Sequence, residues 1–319
     1  MASERDIRQR DYFLNRAVKR DRHLAKWARK NDTTCYRVYD RDIPEIPLAL
    51  DRYGDAAVLY LYERPYDKDP ADEQAWLELM KSAASEALGV EPSAVHVKQR
   101  RRLGLDEQYG RMEERGATLV VREQGLHFRV NLSDYLDTGL FMDHRPGRSW
   151  IRERAAGKRV LNLFCYTGSF SVYALAGGAS MVSAVDLSRN YLDWALDNLA
   201  LNGLPVDRYE DTRADVLAWL EAARGRVWDL IVLDPPTFSN SKGMDRYLDV
   251  NRHWADLVNA ALAVLAPDGL LLFSSNSRQL KFDAGLLHGA SAEDISARSV
   301  PQDYRPGTHR AWLIGHAGA

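Results

Sequence analysis

The second half of the chain alternates short apolar segments with helical stretches, and this alternation limits the fold more than any other feature. Strands separated by helices of this length form parallel sheets with right-handed crossovers, so the pattern predicts an α/β fold from about residue 133 onward. The predicted strands cover 160–164, 181–185, 230–233, 269–274 and 310–314, and the predicted helices cover 170–176, 189–201, 216–223 and 246–265.

The segment 46–132 predicts a smaller α+β domain. Apolar runs meet in pairs at Gly54-Asp55 and at Gln124-Gly125, residues that favour hairpin turns, and a helix between the hairpins ends at Gly89. The order is strand, strand, helix, strand, strand: 48–53, 56–62, 70–88, 95–98, then the hairpin 117–121 and 126–131. Since single cores rarely exceed about 250–300 residues, we divide the chain into an extension 1–45, this domain 46–132 and an α/β domain 133–319.

Positive charge is concentrated at the start of the chain. Residues 1–31 hold ten Lys or Arg and four acidic residues, a net charge of +6, whereas the whole chain carries −2. Apolar residues recur at helical spacing in this stretch, which predicts a basic amphipathic helix, with a break near Asp21 left open. The basic face is either a solvated surface or an RNA contact. A second basic cluster contains Lys98 and 100–102, followed by a loop around 104–110.

Composition excludes several classes of protein. With 45% hydrophobic and 28% charged residues, the chain is neither disordered nor a coiled coil. It lacks the apolar run of about 18–20 residues that spans a membrane, and its polar start has no signal-peptide core. The two cysteines, Cys35 and Cys165, form no metal-binding spacing and fit a reducing compartment. We expect a cytoplasmic protein without a metal; the sequence leaves the oligomeric state open.

The first strand of the α/β domain leads through a tight turn into a helix. The turn, 165–169, contains a single glycine, Gly168, rather than the three that cradle a pyrophosphate. Backbone N–H groups at the start of the following helix would face the carboxyl edge of the sheet, so a ligand carboxylate suits this loop. By itself the turn is equally consistent with a purely structural role.

Acidic residues follow the next strands. Asp186 lies 18 residues after Gly168, where an acid can bind both hydroxyls of a ribose. It is alternatively the cap of the next helix, a role that Ser188 fills equally well. Asp215 can accept from an adenine amino group or cap its own helix. Gly168 and Asp186 together favour nucleoside binding.

The segment Asp234-Pro235-Pro236-Thr237-Phe238 carries the strongest signal. Two prolines directly after a buried strand remove two backbone donors and fix the chain direction. A carboxylate beside rigid carbonyls makes a socket for a planar polar group, and the ring of Phe238 can stack on a base.

In this order, the four elements resemble the Rossmann-like class I methyltransferases that use S-adenosylmethionine. Longer stretches resemble the RlmI/RlmK family of rRNA methyltransferases, and the RlmK type in particular, whose members methylate N7 of guanine in 23S rRNA. The chain looks like a free-standing member of that type, without the partner methyltransferase half. The matching stretches are 134–145, 162–168, 186–188, 234–242 and 273–278, with 35–40 and 51–53 upstream.

The resemblance implies the residues of the site. Gly168, Asp186 and Asp215 would hold the amino-acid portion, ribose and adenine of S-adenosylmethionine, and the segment 137–145 would close over it. Catalytic roles fall to Asp234, Pro235, Pro236, Thr237 and Phe238. The cofactor-binding set is Phe141, Asp143, Arg145, Asn162, Phe164, Tyr166, Thr167, Gly168, Ser169, Asp186, Leu187, Ser188, Asp215 and Asp234.

The resemblance also implies the reaction. Guanine N7 has a lone pair and no proton, so direct in-line transfer needs alignment rather than a base. The partner would be 23S rRNA or a pre-ribosomal particle, with residues 46–132 as an RNA-binding domain. Alternatives are methylation of an exocyclic base amine, methylation of cytosine at the 5-position, and a non-catalytic assembly factor. The cytosine route needs a thiolate, and no cysteine follows the strand 270–274, where such relatives carry one.

Overall fold

The computed structural model describes residues 3–63, 69–100, 116–135, 137–239 and 247–318. The chain divides into two compact units, 1–138 and 139–319. This division differs from the predicted one in two ways. Residues 1–45 belong to the first unit rather than forming a separate extension, and the boundary falls after residue 138 rather than after 132.

The first unit is built on a four-stranded sheet with the order β1-β2-β3-β4, as far as the described residues show. Strands β1, β2 and β3 pair antiparallel, and β4 pairs parallel to β3. Both predicted hairpins and the helix that ends at Gly89 are confirmed. The elements are α1 (Glu4–Lys30), β1 (Cys35–Asp40), β2 (Leu48–Tyr53), β3 (Ala56–Tyr62), α2 (Pro70–Leu88), β4 (Val95–Arg100), β5 (Thr118–Glu123) and β6 (Leu126–Asn131).

Helix α1 runs without the break considered at Asp21. The Asp21 carboxylate faces the sheet, where it accepts from the Tyr36 hydroxyl over 2.9 Å, so this acid serves packing and does not end the helix. Phe13 is fully buried, and its ring meets that of Tyr39 edge-on at 4.9 Å. The helix therefore forms part of the core of the first unit.

The basic cluster at the end of β4 is only partly described. Lys98 is buried, and its ammonium donates to the carbonyl of Tyr135 over 2.6 Å, so this cation supports the fold and is not available to a partner. The side chain of Arg100 and all of residues 101–115 lie outside the described residues.

The second unit is the predicted α/β domain. In the described part of the chain its sheet has the order β14-β15-β13-β10-β7-β8-β9. The elements are α3 (Arg145–Arg154), β7 (Arg159–Leu163), α4 (Ser169–Ala176), β8 (Met181–Asp186), α5 (Arg189–Leu201), β9 (Tyr209–Arg213), α6 (Val216–Ala222), β10 (Trp228–Leu233), β11 (Phe238–Ser239), β12 (Leu248–Asp249), α7 (Val250–Leu262), β13 (Leu265–Ser275), β14 (Ala290–Asp294), α8 (Ser296–Ser299) and β15 (Arg310–His316).

The order of these strands creates a switch point at β7. Successive strands β8 and β9 lie on one side of β7, and β10 and β13 lie on the other, all parallel. At such a point the connections leave in opposite directions and open a crevice at the carboxyl edge. Among the helices of the described ranges, none is both long and apolar enough to cross a membrane.

Candidate active site

The strands that carry the predicted motifs end side by side. Leu163, at the end of β7, pairs in register with Val185 of β8 and with Leu233 of β10. Leu233 pairs in turn with Phe273 of β13. Because these strands are parallel, the residues that follow all four positions emerge at one carboxyl edge, where open α/β sheets bind ligands.

The loop after β7 has an unusual backbone. Phe164, Tyr166 and Gly168 have φ angles of 55°, 52° and 72°, so every second residue is left-handed. This conformation costs a residue with a side chain about 1–2 kcal/mol, and the surroundings must supply that energy. Phe164 packs against the hydrophobic core of the unit, and Tyr166 N donates to Asp186 Oδ2 over 3.0 Å. Backbone strain of this kind concentrates at functional sites.

Gly168 is demanded by packing as well as by its backbone angle. A Cβ at this position would lie 2.5 Å from the Cβ of Ala195 on α5. Helix α4 begins at the next residue, Ser169, and the glycine offers no side chain to accept from its first N–H groups. Those donors and the helix dipole favour an anionic group at this point.

Two predicted cofactor-binding residues hold the loop from inside the protein. Thr167 is fully buried and its hydroxyl donates to the carbonyl of Gly139 over 2.5 Å, while Asn198 Nδ2 donates to the carbonyl of Thr167 over 2.9 Å. Asn162 is also buried and its Nδ2 donates to Ser171 Oγ over 3.0 Å. Both side chains thus shape the loop, and direct contact with a ligand stays a prediction.

The Asp186 carboxylate organises the end of β8. Its oxygens accept from the backbone N–H of Tyr166 over 3.0 Å and of Ser188 over 2.9 Å. Ser188, and not Asp186, caps α5, because its hydroxyl accepts from Tyr191 N. Burial raises the pKa of Asp186, and the backbone N–H donors oppose the rise. Since a carboxylate has about four acceptor positions, this partly exposed group retains capacity for hydroxyl donors.

Asp215 has the alternative role considered for it. Its Oδ1 accepts from Ala218 N over 3.0 Å, and it is the N-cap of α6. The carboxylate is partly exposed, so a contact with an amino group stays a prediction beside the capping role. The carbonyl of Leu187 accepts from Arg213 Nε over 3.0 Å, which fixes the backbone of this predicted residue.

The Asp234 carboxylate is held from the neighbouring strand. The Ser274 hydroxyl, on β13, donates to Asp234 Oδ1 over 2.6 Å. The Asp234 side chain is 28% exposed, and the next residue, Pro235, is buried. The carboxylate is therefore anchored through Oδ1, while part of it faces solvent. Ser274 belongs to an apolar strand, and its role as a partner becomes visible only in the paired sheet.

An aromatic pair lies beyond the two prolines. The ring of Phe238 stacks on that of Tyr247 at 6.2 Å with an interplanar angle of 17°, and Tyr247 is 44% exposed. The Thr237 hydroxyl donates to Asn276 Oδ1 over 2.7 Å. The role of Phe238 as a stacking surface for a base stays a prediction, and Tyr247 is a ring partner that the sequence did not indicate.

Aromatic rings also surround the glycine loop. Phe141 is 41% exposed, and its ring lies 5.2 Å from the Tyr166 ring. Tyr166 meets the ring of Tyr191 edge-on at 4.5 Å. The predicted residues Phe141 and Tyr166 therefore come together and present a partly exposed apolar surface beside the loop.

Two side chains of the segment 141–145 differ from what the sequence predicted. The Arg145 guanidinium donates to Asp303 over 2.9 Å in an ion pair that is almost fully buried, so it supports the interior rather than an open surface. His144, which sequence reasoning passed over, lies with Nε2 3.6 Å from Asp234 Oδ2. Its ring stacks on His309 at 4.4 Å, a partner 165 positions away and therefore invisible to local patterns.

Burial shifts the pKa of two further groups near the site. Burial lowers the pKa of His144, although the carboxylates of Asp234 and Asp143 oppose the change. Burial raises the pKa of the Cys165 thiol well above its usual value, and nearby acids raise it further. At neutral pH the site therefore holds a neutral imidazole and a protonated thiol.

The chain is similar to known methyltransferases over most of its length. The family model described as S-adenosylmethionine-dependent methyltransferase matches residues 61–305. The Ribosomal RNA large subunit methyltransferase K of Neisseria meningitidis is 46% identical over 307 residues, which cover 95% of this chain and 87% of that protein. The K/L protein of Chromohalobacter salexigens is 48% identical over 306 residues, but these cover only 42% of its length. The chain thus spans well under half of such K/L relatives.

Solved structures agree on the fold. A putative methyltransferase from Streptococcus mutans superimposes with a TM-score of 0.74 at 22% identity, covering 96% of this chain and 81% of that chain. A putative methyltransferase complexed with SAH has the same TM-score at 23% identity, with the same coverage. At this level of identity the likeness establishes a shared fold.

Replacing Gly168 by Ala should destabilise the protein more than the same change at Gly203. Both glycines are left-handed, but a Cβ meets Ala195 only at Gly168 and open space at Gly203. Each variant pays about 1–2 kcal/mol for the backbone, and Gly168→Ala adds about 1–3 kcal/mol for overpacking. Unfolding in urea measures the difference. Equal losses would show that α5 moves aside and that the close approach is unimportant.

Proposed function

We propose that this chain, which belongs to the S-adenosylmethionine-dependent methyltransferases, methylates N7 of a guanine in 23S rRNA by direct in-line transfer. The identity to relatives named for ribosomal RNA methylation supports the substrate class, and the resemblance to RlmK-type enzymes supports N7. One observation carries the mechanism: the carboxylate of Asp234 lies at the open edge, whereas the thiol of Cys165 is buried and protonated.

The residues at the carboxyl edge fit S-adenosylmethionine. The uncapped start of α4 after Gly168 suits its carboxylate, Asp186 suits its ribose hydroxyls, and Asp215 suits its adenine amino group. Phe141 and Tyr166 supply an apolar surface beside them. When bound, the cofactor supplies a methyl group on a positively charged sulfur.

The second half of the edge suits a flat base. Phe238 and Tyr247 form an aromatic pair on which a base can stack. Thr237 and the exposed part of Asp234 offer hydrogen-bonding groups to the edge of a guanine. The adjoining Pro236 has no N–H group, so its backbone presents only a carbonyl there.

Methylation at guanine N7 needs no general base and no covalent intermediate. N7 carries a lone pair and no proton, so these residues align the base and exclude water, and none has to remove a proton. Methylation at N7 makes the base cationic. A fixed carboxylate such as Asp234 stabilises the charge as it develops.

The alternatives are weaker on specific grounds. Methylation of cytosine at the 5-position needs a thiolate, and both cysteines of this chain, Cys35 and Cys165, are buried. In the acid-Pro-Pro-aromatic sockets that serve exocyclic amines the aromatic residue follows the prolines directly, whereas Thr237 stands before Phe238 in this chain. A non-catalytic assembly factor has no need of a cofactor edge with this residue set.

Methyl transfer to an unmodified 23S rRNA transcript tests the proposal. The full chain with S-adenosylmethionine should make the RNA cleavable by borohydride and aniline at one guanine, because this treatment cleaves at N7-methylguanine. An amine-methylated product would incorporate methyl groups and resist cleavage, which would contradict the N7 assignment.

The double variant Cys35→Ser, Cys165→Ser should keep turnover within about tenfold, a barrier change of about 1.4 kcal/mol. A covalent adduct with RNA containing 5-fluorocytosine would instead place a pyrimidine in the site.

Asp186→Ala should weaken binding of S-adenosylmethionine by about tenfold to a hundredfold in calorimetry. A hydrogen bond to a charged group contributes about 1.5–3 kcal/mol. Asp193→Ala is the matched control, because Asp193 is an exposed acid of α5 that forms an ion pair with Arg189. Equal affinities of the two variants would restrict Asp186 to holding the loop.

We also propose that α1 presents a phosphate-binding face to the rRNA. Its buried side contains Phe13, Ala17, Leu24 and Ala28. Its exposed cations lie on the opposite side of a helix with 3.6 residues per turn. They are Arg5, Arg8, Lys19, Arg22, Lys26, Arg29 and Lys30, whereas Arg16, also exposed, pairs with Asp42. Because the whole chain carries a net charge of −2, attraction to phosphate depends on local faces such as this one.

Removing three of these charges should lower the salt dependence of RNA binding. Each cation that contacts a phosphate contributes about 0.7–0.9 to the slope of log affinity against log salt. The triple variant Lys19→Gln, Lys26→Gln, Lys30→Gln should therefore lose about 2–3 from the slope while binding the cofactor normally. The control, Arg154→Gln, Lys158→Gln, Arg224→Gln, changes the charge equally near the amino edge of the second sheet. Identical slopes in the two variants would assign α1 to packing alone.

A further inference from the structure

A histidine that the proposed reaction does not use lies beside Asp234. His144 is buried, and its Nε2 lies 3.6 Å from Asp234 Oδ2 and 3.8 Å from Asp143 Oδ2. Two carboxylates on one side of a ring nitrogen favour the tautomer that carries its proton on Nε2, because both oxygens can only accept. The imidazole therefore directs a donor toward Asp234.

The ring of His144 is held by a second histidine. His309 stacks on it at 4.4 Å with an interplanar angle of 8°. His309 is fastened at both nitrogens: Nδ1 donates to Asp143 Oδ2 over 3.2 Å, and Nε2 lies 3.0 Å from Ser299 Oγ. The edge of Phe170 closes another side of His144 at 6.1 Å. A side chain clamped on two faces has lost its rotational freedom before any ligand arrives.

Metal binding is a competing use of these side chains. Within the described residues, Asp143, His144 and His309 have ligand atoms that all lie within 4.8 Å of one another. A metal ion must lie close to the plane of each imidazole that binds it. Two parallel rings stacked face to face do not share a plane, so both lone pairs cannot point at one ion. The stacked geometry favours a mechanical role.

We propose that His144 is a positioning residue that orients the Asp234 carboxylate toward the base, with His309 fixing the His144 ring. Ser274 holds Oδ1 of this carboxylate, and Nε2 of His144 lies 3.6 Å from Oδ2. A separation of 3.6 Å is longer than a hydrogen bond, and catalytic contacts of this kind shorten when substrate closes the site. The inference rests on the proposed function only in that Asp234 faces the base.

The protonation state of His144 follows from its surroundings. The charged groups that face it are Asp234, Asp143, His309 and Arg148. Burial is the largest influence and lowers the pKa of His144, so the ring is neutral at pH 7. Once protonated, it would form an ion pair with Asp234 and draw the carboxylate away from the base. Activity should therefore fall on acidification, at a pH below the ordinary value for histidine.

Two substitutions at His144 separate positioning from packing. His144→Gln keeps an N–H donor but loses the ring, whereas His144→Phe keeps the stack on His309 but loses the donor. Positioning predicts that the Gln variant retains kcat within about tenfold and that the Phe variant loses about a hundredfold. The KM for S-adenosylmethionine should not change in either. A packing role predicts the reverse order, with His144→Phe the more active and the more stable.

The pH profile provides a second readout. The acid limb of kcat should move to lower pH in His144→Gln, because the amide does not titrate. His288→Phe, which alters an exposed histidine of the same unit, should leave both kcat and the limb unchanged. An acid limb that is identical in the parent and in His144→Gln would overturn the proposal.

A substrate-free measurement keeps this inference separate from the proposed function. Methyl transfer is counted in total 23S rRNA, so a methylated atom other than N7 leaves the Gln and Phe comparison valid. Should the parent transfer no methyl group, NMR titration of His144 still decides. Its pKa should fall in Asp234→Asn, because the carboxylate that favours the charged ring is gone. An unchanged titration would show that His144 and Asp234 do not interact.

Discussion

The parallel register of β7 with β8 and β10 is the constraint on which the candidate site depends. Leu163, Val185 and Leu233 lie in line across the sheet, so three motifs that are far apart in the chain begin at one edge. A shift of one residue in a strand turns its side chains to the other face. Because each of these strands is buried on both sides, such a shift would disrupt packing on both faces. Core packing therefore fixes where the residues that follow the strands begin.

At this edge the loop after β7 has a strained backbone, and contacts from the rest of the unit hold it in place. Phe164 and Tyr166 are left-handed although neither is glycine, and the donors and packing that hold them come from Asp186 and from the core. The same contact gives Asp186 a structural role besides the proposed contact with a ribose, because its carboxylate ties the end of β8 to the loop after β7. A change at this residue therefore affects the loop and the proposed cofactor contact together.

Helix α1 combines two functions on opposite faces. One side supplies part of the core of the first unit, and the other carries cations into solvent. Lys98, from the second basic cluster of the sequence, is instead buried with its ammonium on backbone carbonyls. A cluster of basic residues in a sequence therefore does not by itself identify a binding face. The structure must also show which of the cations are exposed and which are buried against other groups.

Several features were determined by the sequence alone, for reasons that are local. Apolar runs and turn residues predicted most strands of the parallel sheet, both hairpins and the end of α2 at Gly89, because hydrophobic periodicity and glycine conformation act over a few residues. Strand β9 was missed because its residues are polar, and β14 because it is mostly exposed. Asp186 and Asp234 could be selected as candidate site residues because an acid at the end of an apolar run can be recognised from the sequence alone.

Tertiary structure alone decided which side chains meet. Ser274 reaches Asp234 across paired strands, His309 reaches His144 over 165 positions, and Tyr247 joins Phe238 through the short pairing of β11 with β12. It also showed that Arg145 pairs with Asp303 inside the unit and that Asp215 caps a helix. The sequence determined which residues end the strands, because that depends on neighbours in the chain. The fold decided what those residues touch, because that depends on contacts made only after the strands have paired.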